Sequence, residues 1–300
     1  MTAPPAEGGL LLVDKPEGPT SHDVVSQVRR TLGVRRIGHT GTLDPFASGL
    51  LLLCIGPATR LVEYFHGLPK TYAATLRLGQ ETDTHDRTGT VVSESAAWTD
   101  VSRSDCERAL DDVQNRRWQK PPAFSAKRMH GRRAYEAARL GEKVELDPVQ
   151  VEVHDFQLVE LEAPAVRVRA TVSTGTYVRA LARDVGRELG CGAHLTALRR
   201  TRIGPFLVAD AVSPEEAAAG IGRSGPWLAP AEAVVEWLPS RELDPGEVQR
   251  VRTGQPVAAS ENDDPVAREI PVALLAAGRL VAIAERQGDR LQPRKVWQES

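Results

Sequence analysis

Alternation of apolar and polar residues constrains this chain more than any other feature. TYAATLRLG (Thr71–Gly79) places Tyr72, Ala74, Leu76 and Leu78 on one face, and Val166, Val168, Ala170 and Val172 alternate with Arg167, Arg169 and Thr171. A period of two is the mark of a strand buried on one side only. GLLLVDK (Gly9–Lys15) and Leu50–Ile55 read instead as short buried strands. Helical spacing occurs separately. Thr20 or Ser21 can cap a helix with Asp23 behind it, Val24, Val28 and Leu32 repeat at that spacing, and Gly33 stops it. A second helix is expected from about Tyr177 to Leu189, closed by Gly190, with Leu181 and Val185 inward, and a shorter one over Gly131–Leu140. Strands and helices do not alternate regularly. Strands buried on one face belong to antiparallel or mixed sheets, so the fold class is α+β and not a doubly wound parallel sheet.

The 300 residues suffice for one large domain and one small one. The Pro/Gly/Ala-rich segment Ile221–Ala233 marks the boundary. Beyond it come a helical DPGEVQRVRTG, the loop ASENDDP, and GRLVAIAERQGDRLQPRKVW, read as a strand, a turn at Gly288-Asp289 and a basic strand. The N-terminus has a short apolar run and no basic leader, so neither a signal peptide nor a membrane span is expected. Cys54, Cys106 and Cys191 are odd in number and form no CxxC pair, so neither a disulfide nor a zinc site is expected, and a reducing cytoplasm is.

Net charge is −2, but it is segregated. Arg116–Arg133 holds seven Lys/Arg and no acid, Arg167–Arg202 holds eight Arg against Asp184 and Glu188, and Asp210–Glu269 holds twelve acids against five Arg. Two basic stretches on a near-neutral chain fit a localised polyanion footprint, with a solvated arginine-rich surface as the alternative.

One carboxylate stands out. In GHTGTLDPFASGLLLL (Gly38–Leu53), Asp44 sits among glycines and small side chains. Pro45 pushes it out of the helical region, and Gly38, Gly41 and Gly49 permit close approach by a ligand or another backbone. Such an aspartate can serve as nucleophile or general base, or simply bond its own turn. GxGxxG, GxxxxGK[ST], HExxH and GxSxG are all absent. ETDTHDRTG (Glu81–Gly89) lacks calcium-loop spacing and reads as a polar turn, with a metal hydrolase on Asp83 and Asp86 as a remote alternative. No metal and no nucleotide cofactor is expected. Tyr72 reads as a core aromatic or as a stacking platform for a base. Arg179, Arg183 and Arg187 form a stripe that reads as a wet helix face, although Arg179, directly after a Gly-Thr-Tyr turn, can reach a carboxylate or phosphate.

Taken together, LLVDKPEGPTSHDVV, GHTGTLDPFASGLLLLCIGPATR, Lys70-Thr71-Tyr72, LGQETDTHDRTG, KPPAFSAKRMHGRRAYEAARLG, STGTYVRALARDVG and HLTALRRTRIGPF resemble the bacterial tRNA pseudouridine-55 synthases over residues 9–210. GHTGTLDPxASGLL is shared with RNA-guided ribosomal pseudouridine synthases; the flanking motifs and length favour the stand-alone tRNA enzyme.

The resemblance implies a mixed, largely antiparallel sheet with flanking helices in a catalytic domain over 9–225, carrying an RNA-gripping insertion at about 116–146. It implies Asp44 as the catalytic aspartate and His39 as the residue entering the T-loop where the target uridine leaves the stack. Tyr72 would stack on the flipped base, Tyr177 and Leu198 line the uracil pocket, Arg179 pair with the catalytic carboxylate, and Lys15 and Lys70 lie near the site. The closing strands resemble a small β-rich PUA-like RNA-binding domain over 235–298, while the acidic ASENDDP loop matches poorly. The implied partner is the T-arm of tRNA, with no cofactor, no membrane and no protein partner, acting as a monomer. The competing readings are an RNA-guided rRNA pseudouridine synthase and an RNA-binding tRNA folding factor.

Overall fold

The computed structural model describes residues 8–125, 127–129, 132–134, 137, 140, 142, 144–219, 227–259 and 270–297. Strands β1 (Gly9–Lys15), β2 (Ile37–His39), β3 (Ser48–Ile55) and β4 (Lys70–Leu78) come first, with helices α1 (Ser21–Leu32) and α2 (Val62–His66) among them. A hairpin β5 (Gln80–Thr82) and β6 (Val91–Glu94), helix α3 (Arg103–Gln114) and β7 (Trp118–Gln119) follow. A hairpin β8 (Arg128–Met129) and β9 (Arg132–Arg133), then β10 (Val149–Gln150), β11 (Val153–Glu162), β12 (Ala165–Val172), α4 (Val178–Glu188), β13 (Ala193–Ile203), β14 (Phe206–Leu207) and α5 (Pro214–Ala219) complete the first part. The rest comprises β15 (Trp227–Leu228), α6 (Pro230–Val235), β16 (Ser240–Glu242), α7 (Pro245–Arg252), β17 (Val257–Ala258), β18 (Val272–Ala276), β19 (Arg279–Gln287) and β20 (Arg290–Val296).

The large sheet has the order β11-β12-β4-β13-β3-β1-β15, with β14 on β13 and β2 on β3. Its pairings are antiparallel except at β13–β3, which run parallel at Arg199↔Ser48 and Arg200↔Gly49. That parallel junction lies four residues after Asp44. The mixed, largely antiparallel sheet expected from alternation is therefore present, and β4 and β12 bury the residues that the period of two assigns inward.

Local chemistry explains the first helix. Thr20 accepts the Asp23 backbone N–H and Asp23 answers to the Thr20 N–H, while Gly33 ends the helix with φ +64°. Helix α4 begins after Tyr177 and ends at Leu189, within a residue of the expectation. The helix expected over Gly131–Leu140 is not borne out at its start, where Arg132–Arg133 pairs in a hairpin with Arg128–Met129; most of the remainder lies outside the described residues. The ASENDDP loop also lies largely outside them.

Apolar clusters sit on both faces of the sheet. Helices α3 and α4 cover one face through Leu110, Val113, Leu181 and Val185. The same face continues over β1 and β3, which pack against α1 through Val24, Val28, Leu51 and Leu53. On the opposite face a further cluster joins Leu10, Leu50 and Phe65 to Trp297, just after β20, and to Ile283 of the second sheet, whose order is β16-β18-β19-β20-β17. That five-stranded C-terminal sheet thus shares core with the large one, and Lys295 pairs with Glu63 across the seam at 2.5 Å. Among the described residues no helix is long and apolar enough to cross a membrane.

Candidate active site

The loop between β2 and β3 carries Asp44, and three separate devices fix it. The buried Ser21 hydroxyl accepts the Leu43 N–H at 2.9 Å and donates to the Leu43 carbonyl at 3.2 Å. The Gly18 N–H donates to the Pro45 carbonyl at 2.8 Å, and Lys15 Nζ reaches the same oxygen at 3.5 Å while donating to Pro16 and Pro19 carbonyls at 2.8 Å each. The Ala47 N–H closes a turn onto the Asp44 carbonyl at 3.1 Å. The first strand and the PEGPTS turn therefore clamp the aspartate loop. Behind it, Gly49 adopts φ +107°, and a Cβ there would lie 2.2 Å from the Arg200 carbonyl oxygen, so the parallel β3–β13 junction requires glycine.

Arg179 comes from the first turn of α4. Its Nε lies 2.9 Å from Asp44 Oδ2, off the hydrogen-bond line, and its Nη2 donates to Asp44 Oδ1 at 3.3 Å. The same guanidinium donates to the Thr84 carbonyl at 3.0 Å and the Phe124 carbonyl at 2.9 Å, and lies 3.4 Å from Asp86 Oδ2. The side chains of Arg179 and Asp86 are 6% and 5% exposed, whereas that of Asp44 is 37% exposed. The arginine is thus an interior fixture, and the aspartate turns one side outward, where a ligand can meet it.

Burial pushes the Asp44 carboxyl above the usual carboxylate range; Arg179 opposes the shift and Asp86 reinforces it. Burial dominates, so Arg179 limits the rise without cancelling it. Lys15 and Lys70 are each lowered to about 8, by burial above all. Lys15 also feels Asp44 and acts structurally through its three carbonyls. Lys70 donates to the His66 and Leu68 carbonyls, and Arg200 beside it donates to the Gly41 and Leu50 carbonyls. His39 accepts the Gly41 N–H, with its basicity lowered by burial and then by Arg200.

Asp44 and Arg179 are joined directly, with Lys15 one residue away at Pro45. Tyr72 and Leu198 share a buried cluster with Leu43 and Phe46, which flank Asp44. Tyr72 is buried, as the core reading has it. Tyr177 is half-buried at the N-cap of α4, two residues before Arg179. His39 and Lys70 stand on the Arg200 side of the loop and make no hydrogen bond or ion pair with Asp44 among the described residues.

Two expectations need correction. The Arg179–Arg183–Arg187 stripe is not a wet face: Arg179 and Arg183 are both 5% exposed, and only Arg187 reaches outward, to Glu81. Nor is Arg167–Arg202 a free polyanion footprint. Arg167 pairs with Glu160 and Glu162, Arg169 with Asp155, Arg199 with Asp14, and Arg200 is 1% exposed. Arg167 and Arg169 meet acids across the β11–β12 hairpin, Arg199 reaches Asp14 two strands away in β1, and Arg200 bonds the Leu50 and Gly41 carbonyls; the last two partnerships leave no trace in local sequence.

Sequence reasoning missed His85 and Arg200, and it read Asp86 only as a remote metal ligand and Arg183 only as part of a wet stripe. The Glu81–Gly89 turn serves as a support: Asp86 Oδ1 accepts from Thr84 Oγ1, Thr88 N and Thr88 Oγ1, which aims Oδ2 at Arg179. His85 takes the left-handed conformation, φ +61°, and burial lowers its pKa to about 4. The neutral ring donates from Nδ1 to the Thr82 carbonyl at 3.1 Å and offers Nε2 to Arg183 Nη1 at 3.5 Å. The clustering of Thr, Asp and His in that turn was the available signal.

The chain is similar to known proteins over nearly its whole length. Residues 29–178 match the TruB family pseudouridylate synthase N-terminal domain, and residues 179–221 match the tRNA pseudouridylate synthase B C-terminal domain. The chain is 43% identical to the tRNA pseudouridine synthase B of Thermobifida fusca, over 96% of this chain and 98% of the relative. It is 38% identical to that of Aquifex aeolicus, over 96% and 99%. A solved Cbf5-Nop10-Gar1 complex contains a chain of similar fold, with TM-score 0.75 and 26% identity, covering 97% of this chain and 85% of that one. With Asp44 in its motif and Arg179 against it, the chain belongs to the TruB family of pseudouridylate synthases.

Proposed function

We propose that this protein isomerises the T-loop uridine at position 55 of tRNA to pseudouridine, with Asp44 as the catalytic group. The observation that carries the reading is the Asp44–Arg179 pair, in which the cation is buried and the carboxylate keeps one side open. The relatives at 38–44% identity carry the name tRNA pseudouridine synthase B, and they match nearly the whole chain.

The target uridine leaves its stack, at a cost of a few kcal/mol that is smaller in a loop than in a duplex. Tyr72 and Leu198 supply the surface against which the uracil packs, worth about 1–3 kcal/mol per base, and His39 fills the gap left in the loop. Asp44 works ionised, and Arg179 holds it so against the burial that opposes ionisation. The N1–C1′ bond breaks, the uracil turns in place, C5 bonds to C1′, N1 gains a proton and the C5 proton leaves. Attack of Asp44 on C6 or C1′ and removal of a sugar proton all require the same ionised, oriented carboxylate. The exposed Arg117 and Lys120 in the 116–146 insertion grip phosphates, and residues 235–298 form a PUA-like unit that extends the RNA surface. The three free, buried cysteines suit a reducing cytoplasm, and the enzyme acts as a monomer without cofactor or protein partner.

Incubation with an unmodified tRNA transcript, without guide RNA or added protein, tests this. Pseudouridine at position 55 is expected, and none with a transcript carrying cytidine there. No product from the bare transcript, or product at a different uridine, would contradict the proposal.

A further inference from the structure

The insertion leaves and rejoins the body of the protein at a two-stranded ladder, β7 with β10, in which Gln119 pairs with Val149. Trp118 and Gln119 point to opposite sides of that ladder. Trp118 is 63% exposed, while Gln119 is 3% exposed, with its carboxamide facing Tyr177. Gln119 Oε1 accepts the Tyr177 N–H at 2.9 Å, and Gln119 Nε2 donates to the Tyr177 carbonyl at 3.2 Å. Only one orientation of the amide satisfies both bonds.

Tyr177 is the N-cap of α4 and makes no side-chain cap of its own. Gln119 therefore fixes, from outside, the backbone of the residue at which the Arg179 helix begins. The next residues of the same segment continue the contact. The Lys120 carbonyl accepts from Arg183 Nη2 at 3.1 Å, and the Phe124 carbonyl accepts from Arg179 Nη2 at 2.9 Å. Arg116, three residues before Gln119, pairs with Glu188 at the far end of α4. The root of the insertion is thus bonded along the helix that supplies the partner of Asp44.

We propose that Gln119 is a positioning residue for the reaction: its two-way bond to Tyr177 sets the start of α4, and with it the orientation of Arg179 against Asp44, so that the seating of the insertion governs the catalytic pair. This rests on the proposed uridine isomerisation. The consequence is that Gln119 contributes to the chemical step without touching RNA.

Single-turnover rate and dissociation constant, measured separately on one T-arm hairpin, test the inference. For Gln119→Ala the rate constant falls about tenfold or more, the loss expected when a buried donor and acceptor are orphaned, while the dissociation constant stays within about twofold. Gln119→Glu keeps the acceptor for the Tyr177 N–H and loses the donor, so its rate is intermediate near neutral pH. Protonation of the introduced carboxyl restores a donor, so the rate of Gln119→Glu relative to wild type rises as pH falls. A wild-type rate for Gln119→Ala overturns the inference. So does a loss in rate matched by an equal loss in affinity, or a rate ratio for Gln119→Glu that does not change with pH. Should the wild-type protein itself form no pseudouridine in this hairpin, the proposed activity fails and not the role of Gln119 alone.

Discussion

The two arginine-rich stretches of this chain look alike in sequence and have opposite fates in the fold. In Arg116–Arg133, Arg117 and Lys120 are exposed. In Arg167–Arg202, Arg179, Arg183 and Arg200 are almost wholly buried, and Arg167, Arg169, Arg187 and Arg199 pair with acids from elsewhere in the chain. The first stretch keeps exposed charge, and the second contributes Arg179 to the site. The difference arises because β12, α4 and β13 pack inside the first domain with acids from other elements beside them, whereas Arg117 and Lys120 flank the short β7 strand at the surface. Charge density along a sequence does not reveal which arginines have partners across a sheet.

Of the two stretches, the second has the larger expected effect on substitution. In Arg179→Met, Asp44 and Asp86 face each other without a cation, and turnover falls roughly 10²–10³-fold, as when one preorganised electrostatic group is removed, with little change in RNA affinity. The same variant has a pH signature. The Asp44 carboxyl already lies above the usual carboxylate range, so the wild-type rate falls as pH drops through that raised value. Arg179 lowers the Asp44 pKa, so its removal shifts this acid limb to higher pH. A pH–rate profile in single turnover checks both signs; an acid limb that stays in place in Arg179→Met would mean that the ion pair does not set it.

The first stretch responds differently. In Arg117→Gln/Lys120→Gln, affinity for the T-arm weakens, and the slope of log affinity against log salt flattens by about 0.7–0.9 for each phosphate that no longer meets a cation. The rate at saturating RNA remains that of wild type. If this pair reduced the saturating rate while Arg179→Met weakened binding, the contrast between the two stretches would be broken. The smallest effect belongs to the clamp on the loop. Ser21→Ala deprives Leu43 of both bonds to the buried hydroxyl and costs about 1–3 kcal/mol of stability, read as a lower melting temperature.

What was legible beforehand follows from the range of the interactions concerned. The period of two in β4 and β12, the Thr20–Asp23 capping box and the Gly33 stop are local, and each is visible in a few residues. Asp44 was legible as a motif, and its pairing with Arg179 was implied by family resemblance, since 135 residues separate them. Asp86 was invisible as a support for Arg179, because a carboxylate in a polar turn looks the same whether it faces water or a buried guanidinium. The role of Ser21 was hidden for a related reason: a residue at the start of a helix reads as a cap, yet here its hydroxyl binds a loop 22 residues away.

The most direct test of the central claim uses the variant Asp44→Asn, which keeps the shape of the side chain and removes its charge. On one T-arm hairpin, wild-type protein forms pseudouridine at position 55, whereas Asp44→Asn binds with similar affinity and forms none. Because the ionised carboxylate is disfavoured by burial, the melting temperature of the variant at neutral pH stays equal to or above that of wild type. Pseudouridine formed at the wild-type rate by a folded Asp44→Asn protein would contradict the account.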